Sequence, residues 1–392
     1  MKRICILIFS LWGVLFPSQA QEALDSIECS LITCSPGDEV YSLYGHTAIR
    51  CRNFTRNLDL VFNYGVFSFR QPHFIWRFVK GECDYMVDAM PWEYFPQDYE
   101  RRGSSVTAQI LNLSQEESNH LFQSLLLNCQ KENREYRYNF LYNNCTTKVR
   151  DKIESSINGT VEYLQGEEKK TYRQIIHEYT EHSPWAQEGN DFLLGAAVDT
   201  LLTDRASMFA PNYLMEFVAN ASIRRENGDV FPLVLRTESI LQESPHVPRV
   251  SFPLSPLEVA LLFLFLNVLI LLLEYWTRHI FWLWDLLVMF VQGCTGLLLL
   301  FMFLFSEHPA VNSNWLLWII NPLPFLGIYF VLKSVFRHKR TLWHPFNFAI
   351  LSLFIIFFAW IPQNFGNIVV PLTLALLTRP VSYHLFYQRR HI

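Results

Sequence analysis

Tyr142-Asn143-Asn144-Cys145-Thr146-Thr147-Lys148-Val149-Arg150 is the stretch on which the fold of the aqueous half turns. Upstream of it, Tyr136, Tyr138, Phe140 and Tyr142 alternate with polar residues, the period of a strand or an extended arm. Downstream, Val149, Ile153 and Ile157 recur at every fourth position, which predicts a helix over residues 146–157. Asn143 or Asn144 is suited to cap that helix, because a short amide side chain accepts hydrogen bonds from the first N–H groups. Cys145 then falls in the first turn, where unpaired N–H groups and the helix dipole favour a thiolate over a thiol.

A second polar island stands well upstream: Ser42-Leu43-Tyr44-Gly45-His46-Thr47-Ala48-Ile49-Arg50. Gly45 permits a close backbone approach, and Thr47, Ala48 and Ile49 continue as a half-buried strand, so an imidazole at His46 would be held rigidly at a sheet edge. His73, His120, His177 and His182 also occur in this half, and only the setting of His46 singles it out. A base on a strand and a cysteine at a helix start are the two parts that a thiol nucleophile needs. Six cysteines lie in this half: Cys29, Cys34, Cys51, Cys83, Cys129 and Cys145. In an oxidising compartment an even count permits three disulfides, one through Cys145, and Cys29 and Cys34 are near enough in sequence for a local bridge. Outside the membrane segments there is no Cys-x-x-Cys or His-x-x-x-His spacing, so neither a metal nor a cofactor is expected.

The first half of the aqueous region reads as β, in runs of aromatic and β-branched residues at 40–51, 60–69, 74–79, 83–89 and 106–113. Ser114-Gln115-Glu116-Glu117 is a capping box that opens a helix to residue 130. Further helices are expected at 171–181, 191–202 and 207–220. The fold class is therefore α+β, followed by an all-α bundle in lipid.

The chain averages 51% hydrophobic and 17% charged residues, and the apolar excess lies after residue 256. Residues 1–20 carry Lys2 and Arg3, an apolar run over 4–16 and small residues at Ser18 and Ala20, the pattern of a cleavable secretory signal. Cys5 is inside that run, so a lipid anchor at the mature N-terminus is not expected. The aqueous domain covers 21–240, and a connector over 241–256 holds Pro245, Pro248, Pro253 and Pro256. Residues 257–392 make the membrane domain, with five candidate spans at 254–273, 286–305, 315–332, 346–361 and 368–385. Arg379 and Pro380 interrupt the last of these. Arg278, then Lys333, Arg337, Lys339 and Arg340, then Arg379, Arg389 and Arg390 all fall in one alternating set of loops, and the loops at 306–314 and 362–367 have no Lys or Arg. The positive-inside rule puts the first set in the cytoplasm and the aqueous domain outside. Glu274 and Asp285 are expected at water-accessible span ends, and 306–314 as a solvated loop. A net charge of −4 supplies no basic field for a nucleic-acid partner.

Gly45-His46-Thr47-Ala48-Ile49-Arg50, Phe62-Asn63-Tyr64-Gly65-Val66-Phe67, Tyr142 to Thr147, Phe192-Leu193-Leu194-Gly195-Ala196-Ala197-Val198-Asp199 and Met208-Phe209-Ala210-Pro211-Asn212-Tyr213-Leu214 together resemble the periplasmic N-terminal domain of the Lnb lipoprotein N-acyltransferases, the DUF4105 family. The order of His before Cys is also similar to the circularly permuted NlpC/P60 group. What the resemblance implies is a permuted papain-like thiol domain with Cys145 as nucleophile and His46 as base. A polar residue on the strand after the histidine orients the imidazole there; Asn63 is the first choice and Asp59 the second. Tyr44 and Asn144 would lie at the substrate beside the helix-start N–H groups, and Asp199, with Phe209–Asn212, beside the cleft or at the membrane surface. The implied reaction moves an acyl chain from a membrane phospholipid, through a Cys145 thioester, to the α-amino group of a diacylated lipoprotein. The implied location is the bacterial inner membrane, multi-pass, with the catalytic domain in the periplasm. The alternatives are a membrane-anchored cysteine peptidase or amidase of the envelope, and an inactive binding module.

The topology is directly testable. A cysteine introduced at Lys333 should be protected from an impermeant thiol reagent in cells with an intact inner membrane, whereas one at Asn227 should be labelled once the outer membrane is permeable. Labelling at position 333 would invert the assignment.

Overall fold

The computed structural model describes residues 25–68, 72–166, 168–244, 252–337 and 341–389. The expected signal over 1–20, Pro245 and Pro248 of the connector, and Lys339, Arg340 and Arg390 lie outside the described residues.

The aqueous half begins with three strands, β1 (Ile27–Cys34), β2 (His46–Asn53) and β3 (Leu58–Val66), followed by helix α1 (Phe74–Lys80). Next come β4 (Asp84–Pro91), α2 (Phe95–Glu100), β5 (Val106–Leu111), α3 (Gln115–Asn128), β6 (Glu135–Arg137), α4 (Cys145–Ser156) and β7 (Thr160–Glu162). Helices α5 (Tyr172–Thr180), α6 (Pro184–Leu193), α7 (Asp204–Ser207) and α8 (Pro211–Ala219) precede the last strands, β8 (Ser222–Arg224), β9 (Val230–Pro232) and β10 (Val234–Leu241). Seven strands form one antiparallel sheet in the order β10-β5-β1-β2-β3-β4-β6, and β7, β8 and β9 form a small second one.

Both faces of the large sheet are covered. Ile27, Cys29 and Leu31 of β1 pack with Leu121, Phe122 and Leu125 of α3 and with Val149 and Ile153 of α4. Ile32 and Cys34 point the other way, into a core with Phe95 of α2. A strand buried on both faces loses its apolar–polar alternation, which is why β1 has no strand signature in the sequence. The expected strand over 74–79 is instead α1. It is delimited by His73 and Gly81, both left-handed (φ 56° and 77°), and Ile75, Trp76 and Phe78 are too exposed for a sheet interior. The expected strand over 40–51 starts only at His46, because 39–45 are taken up by turns in which the Ser42 and Gly45 N–H groups bond to the Glu39 and Ser42 carbonyls. The Ser114 capping box is present in full at the start of α3.

The predicted helix over 191–202 ends early. α6 stops at Leu193 and a 3-10 turn covers Ala196–Asp199. The break is imposed by the membrane half: a side chain at Gly195 would stand 2.3 Å from the Ser313 carbonyl carbon, and the Gly195 N–H donates to the Ala310 carbonyl at 3.0 Å. The loop at 306–314, expected to be solvated, is therefore the joint between the two halves. Asn314 is buried and donates to the Phe192 carbonyl at 2.8 Å.

Behind this joint sits Arg173, only 1% exposed. It donates to Asp191 at 2.6 Å, to Asp199 at 2.7 and 3.1 Å, and to the Leu194 and Gly195 carbonyls at 3.0 and 3.2 Å. The Asp199 carboxylate in turn accepts from the Asn364 N–H at 3.1 Å, and Gln363 donates to the Leu194 carbonyl at 3.3 Å.

The membrane half contains α9 (Pro256–Thr277), α10 (Trp282–Phe305), α11 (Pro324–Arg337), α12 (Trp343–Phe357) and α13 (Val369–Arg389). Among the described residues four helices are long and apolar enough to cross a bilayer: α9, α10, α12 with its 3-10 extension to Trp360, and α13. The expected third span, 315–332, is not continuous. A 3-10 turn at Trp315–Trp318 is followed by Pro322 and Pro324, and the 14 residues of α11 reach about 21 Å, so the third crossing of a hydrocarbon core of about 30 Å uses both pieces and not one helix. The last span runs unbroken through Arg379 and Pro380. Glu274 and Asp285 are not at water but buried, and both pair with Arg379, Glu274 at 2.8 and 3.0 Å. Cys294 is exposed on the outside of α10.

Removing one partner of a buried ion pair leaves an uncompensated charge, at a cost of about 3–5 kcal/mol. Arg173→Ala should therefore lower the thermal midpoint of the detergent-solubilised protein sharply and open the 190–200 segment to proteolysis. Arg205→Ala, which loses only half-exposed pairs with Asp151 and Glu154, should leave both unchanged.

Candidate active site

The start of β2, the end of β3 and the start of α4 meet at one end of the large sheet. His46 is the first residue of β2, Asn63 lies on β3, and Cys145 is the first residue of α4. Asn144 caps α4 in a reciprocal box with Thr147, accepting from the Thr147 N–H at 2.9 Å while the Thr147 hydroxyl accepts from the Asn144 N–H at 2.9 Å. That cap fixes the N-terminal turn and leaves the Cys145 and Thr146 N–H groups without intrahelical partners.

His46 Nε2 lies 3.1 Å from Asn63 Oδ1. A carbonyl oxygen only accepts, so Nε2 carries the hydrogen and Nδ1 is the basic nitrogen of the ring. The imidazole and the Cys145 thiol lie near enough for the charge of each to act on the other. Burial by itself pushes the thiol up. The charge of His46 and its hydrogen bond, the Thr47 N–H and the Thr146 hydroxyl, 3.7 Å from the sulfur, outweigh burial and bring Cys145 down to about 7. His46 is the converse case: burial favours the neutral ring, and the thiolate charge, with the bonds to Cys145 and Asn63, raises it above the ordinary histidine range. Each group thus favours the charged form of the other.

The alternative orienting residue is engaged elsewhere. Asp59 binds Arg50 through two hydrogen bonds of 2.8 and 2.7 Å, and Arg50 in turn lies 3.9 Å over the Trp92 ring. The Tyr44 hydroxyl accepts from Asn190 at 2.7 Å within a cluster with Phe140 and Tyr179, and burial pushes it up to about 12. The Asn144 amide donates to the Phe140 and Phe209 carbonyls, both at 2.9 Å. Asp199 is held by Arg173. The structure thus brings Cys145, His46 and Asn63 together, places Asn144 directly behind them as the cap, and sets Tyr44 and Asp199 in bonds of their own.

Other residues at the site carry no motif. Tyr99 of α2 stacks on the His46 ring, with centroids 6.5 Å apart and planes 13° from parallel. Burial pushes the Cys34 thiol, beside the Tyr99 hydroxyl, far above the ordinary thiol range. Cys34 is also the cross-strand partner of His46. Gly65 has φ +92°, and a side chain there would stand 3.9 Å from the Cys145 Cβ and 4.0 Å from the Tyr136 hydroxyl. Gly65 thus stands between the Tyr136 hydroxyl and Cys145, and its left-handed backbone, not a lack of room, is what favours glycine there. The alternation of Tyr136, Tyr138, Phe140 and Tyr142 was the one sequence signal that could have pointed to that tyrosine.

The cysteines are all free among the described residues. A local Cys29–Cys34 bridge is ruled out, because the two are five positions apart on one extended strand and face opposite sides of the sheet. Cys29 faces Cys51 instead, sulfur to sulfur at 3.4 Å. Among the described residues no group of His, Cys, Asp and Glu is arranged to hold a metal.

Comparison with models of protein families matched residues 17–181 to the Lnb N-terminal periplasmic domain and residues 248–391 to the Lnb transmembrane domain. The chain is a membrane protein of the Lnb type. No curated protein and no solved structure matched it. The first match contains His46, Asn63 and Cys145, and the second contains α9 to α13. The sheet-rich Lnb domain is periplasmic, and the Lnb bundle is the multi-span membrane region.

Because the thiolate is the stabilised form, reactivity at Cys145 should be present above its midpoint and lost below it. The iodoacetamide alkylation rate at Cys145, followed by peptide mass spectrometry, should rise through about pH 7 and then level off. His46→Ala should move that midpoint up by at least about one unit, since burial then acts unopposed by the imidazolium.

Proposed function

We propose that this protein is an inner-membrane lipoprotein N-acyltransferase that works through a Cys145 thioester. The observation that carries the reading is a helix-start thiol, half-buried beside an imidazole that is itself held by an amide, in a domain bonded directly to a bilayer-crossing bundle. A wall hydrolase has no need of such a bundle. An enzyme whose two substrates both reside in the bilayer does.

The Cys145 thiolate attacks an ester carbonyl of a glycerophospholipid. Negative charge develops on the carbonyl oxygen, and the free N–H groups at the α4 start, with the Tyr136 hydroxyl opposite, are the donors that receive it. The tetrahedral intermediate expels the glycerol oxygen, which takes the proton from His46 Nδ1 and departs as a lysophospholipid. The acyl chain now sits on sulfur as a thioester. In the second half, the α-amino group of a diacylglyceryl-cysteine attacks that carbonyl, His46 takes the amine proton, and Cys145 leaves as a thiolate. The amide product is stable, and the thioester supplies the activation without ATP or coenzyme A. Throughout, Asn63 keeps the hydrogen on Nε2 and leaves Nδ1 to move protons.

Mass spectrometry of lipoprotein N-terminal peptides should show the N-acyl group lost in cells without the gene and restored by the wild-type chain. Cys145→Ala, Cys145→Ser and His46→Ala should all fail to restore it while remaining in the membrane. Full restoration by Cys145→Ala would end the proposal, and release of cut muropeptides in place of N-acylation would make the protein a hydrolase.

Asn63 supplies one uncharged contact, worth about 1.4–4 kcal/mol, so Asn63→Ala should slow N-acylation on the order of 10- to 1000-fold without abolishing it. Asp59→Ala should stay near wild type, because Asp59 serves Arg50. The reverse ranking would move the orienting role to Asp59.

A further inference from the structure

α1 is a short helix whose apolar side chains do not enter the protein core. Ile75 is 78% exposed, Trp76 55% and Phe78 46%, values foreign to a domain surface that meets only water. Its position explains them. The Glu307 N–H, just past the end of α10, donates to the Lys80 carbonyl at 2.7 Å, and the Ser306 hydroxyl donates to the Val79 carbonyl at 2.8 Å. The Trp76 ring lies 5.0 Å from Phe301, about one turn inside the periplasmic end of α10. α10 crosses the bilayer, so α1 is fixed at the level of the outer leaflet. Its basic residues are drawn away from the lipid side, Arg77 to Asp84 and Lys80 to Glu82.

Behind α1 runs a row of rings. Phe78 lies 6.1 Å from Phe74, Phe74 6.3 Å from Phe67, Phe67 4.8 Å from Tyr85, and Tyr85 4.2 Å from Tyr138. Tyr85 is also the cross-strand partner of Tyr136, whose hydroxyl stands with Gly65 beside Cys145. The ring contacts thus lead from α1 to Tyr85 and Tyr138, and the strand pairing of Tyr85 with Tyr136 carries the line on to Gly65 and Cys145.

We propose that α1 is immersed in the outer leaflet and that the aromatic row behind it guides the ester-bearing end of a glycerophospholipid from the bilayer to Cys145. The second half rests on the phospholipid-donor reading above; the immersion of α1 stands on its contacts with α10. An amphipathic helix with Trp and Phe on its outer face lies in the interfacial plane, where the rings are at home between headgroup and acyl chain. The phenylalanine rings of the track offer an acyl chain an apolar surface, and the tyrosine hydroxyls come only at its inner end, where the ester would arrive.

The test uses the full chain in vesicles of phosphatidylethanolamine and phosphatidylglycerol. A nitroxide on Ile75→Cys should relax more through dissolved oxygen than through a water-soluble nickel chelate, and the same label on Asn227→Cys, in an exposed turn, should show the opposite. A label at 75 that behaves like the one at 227 overturns the immersion. For the guiding role, Ile75→Ser combined with Trp76→Ser should cut formation of the hydroxylamine-sensitive acyl group on Cys145 from vesicle phospholipid at least about tenfold. The alkylation midpoint of Cys145 should stay where it is, which shows that the site is intact. Acylation at the wild-type rate in that double variant overturns the guiding role. A label at 75 that sits in lipid, in a wild-type protein whose Cys145 takes no acyl group from any phospholipid, confirms the immersion and defeats the donor reading on its own.

Discussion

Arg173 is the constraint on which the arrangement of the two halves depends. Its side chain is fully buried and satisfied by two carboxylates and two carbonyls, all drawn from the segment 191–199. That segment is the surface that the membrane half touches, through Gly195, Leu194 and Asp199. Burying a guanidinium is costly in isolation, and only so complete a set of partners makes it tolerable. The result is a rigid platform rather than a hinge. On the proposed reaction the thiol needs a fixed height above the bilayer surface, and a buried ion-pair network sets that height more narrowly than a connector could.

The chemistry of the site was legible because its parts are local. Gly45-His46 at a strand start and Asn144-Cys145 at a helix start are each specified within a few residues, by cap chemistry and by periodicity. The choice of Asn63 over Asp59 came from the resemblance and from the strand that contains them; the side-chain hydrogen bonds put Asn63 on His46 and leave Asp59 to Arg50. Tyr99 and Cys34 were not legible, and Tyr136 was visible only as one ring of an alternating run. Tyr99 and Cys34 reach His46 through stacking and a cross-strand pairing, neither of which leaves a pattern in sequence.

The fold was legible where one face meets water and misleading where it does not. α3 and α4 alternate apolar and polar residues at helical period and cap themselves with side-chain boxes. β1 is buried on both faces and shows no period, and α1 shows an apolar run with a strand's composition because its partner is lipid-level surface and not the core. The membrane half has the same lesson in another form. Hydropathy located every helix there, but it treated 315–332 as one span, although Pro322 and Pro324 break it, and it marked Arg379 as an interruption, although α13 continues through it.

The Arg379 cluster bears on how the protein is made. An arginine near the middle of a helix costs about 2.5–3.5 kcal/mol to insert by itself. Here its partners, Glu274 and Asp285, sit on the first two membrane helices, synthesised more than ninety residues earlier. Those carboxylates would be in place before the last helix leaves the ribosome, and each would be as unwelcome in lipid alone as the arginine. Membrane integration of α13 is thus coupled to the completed packing of α9 and α10, and the final helix acts as a checkpoint on the assembly of the whole bundle.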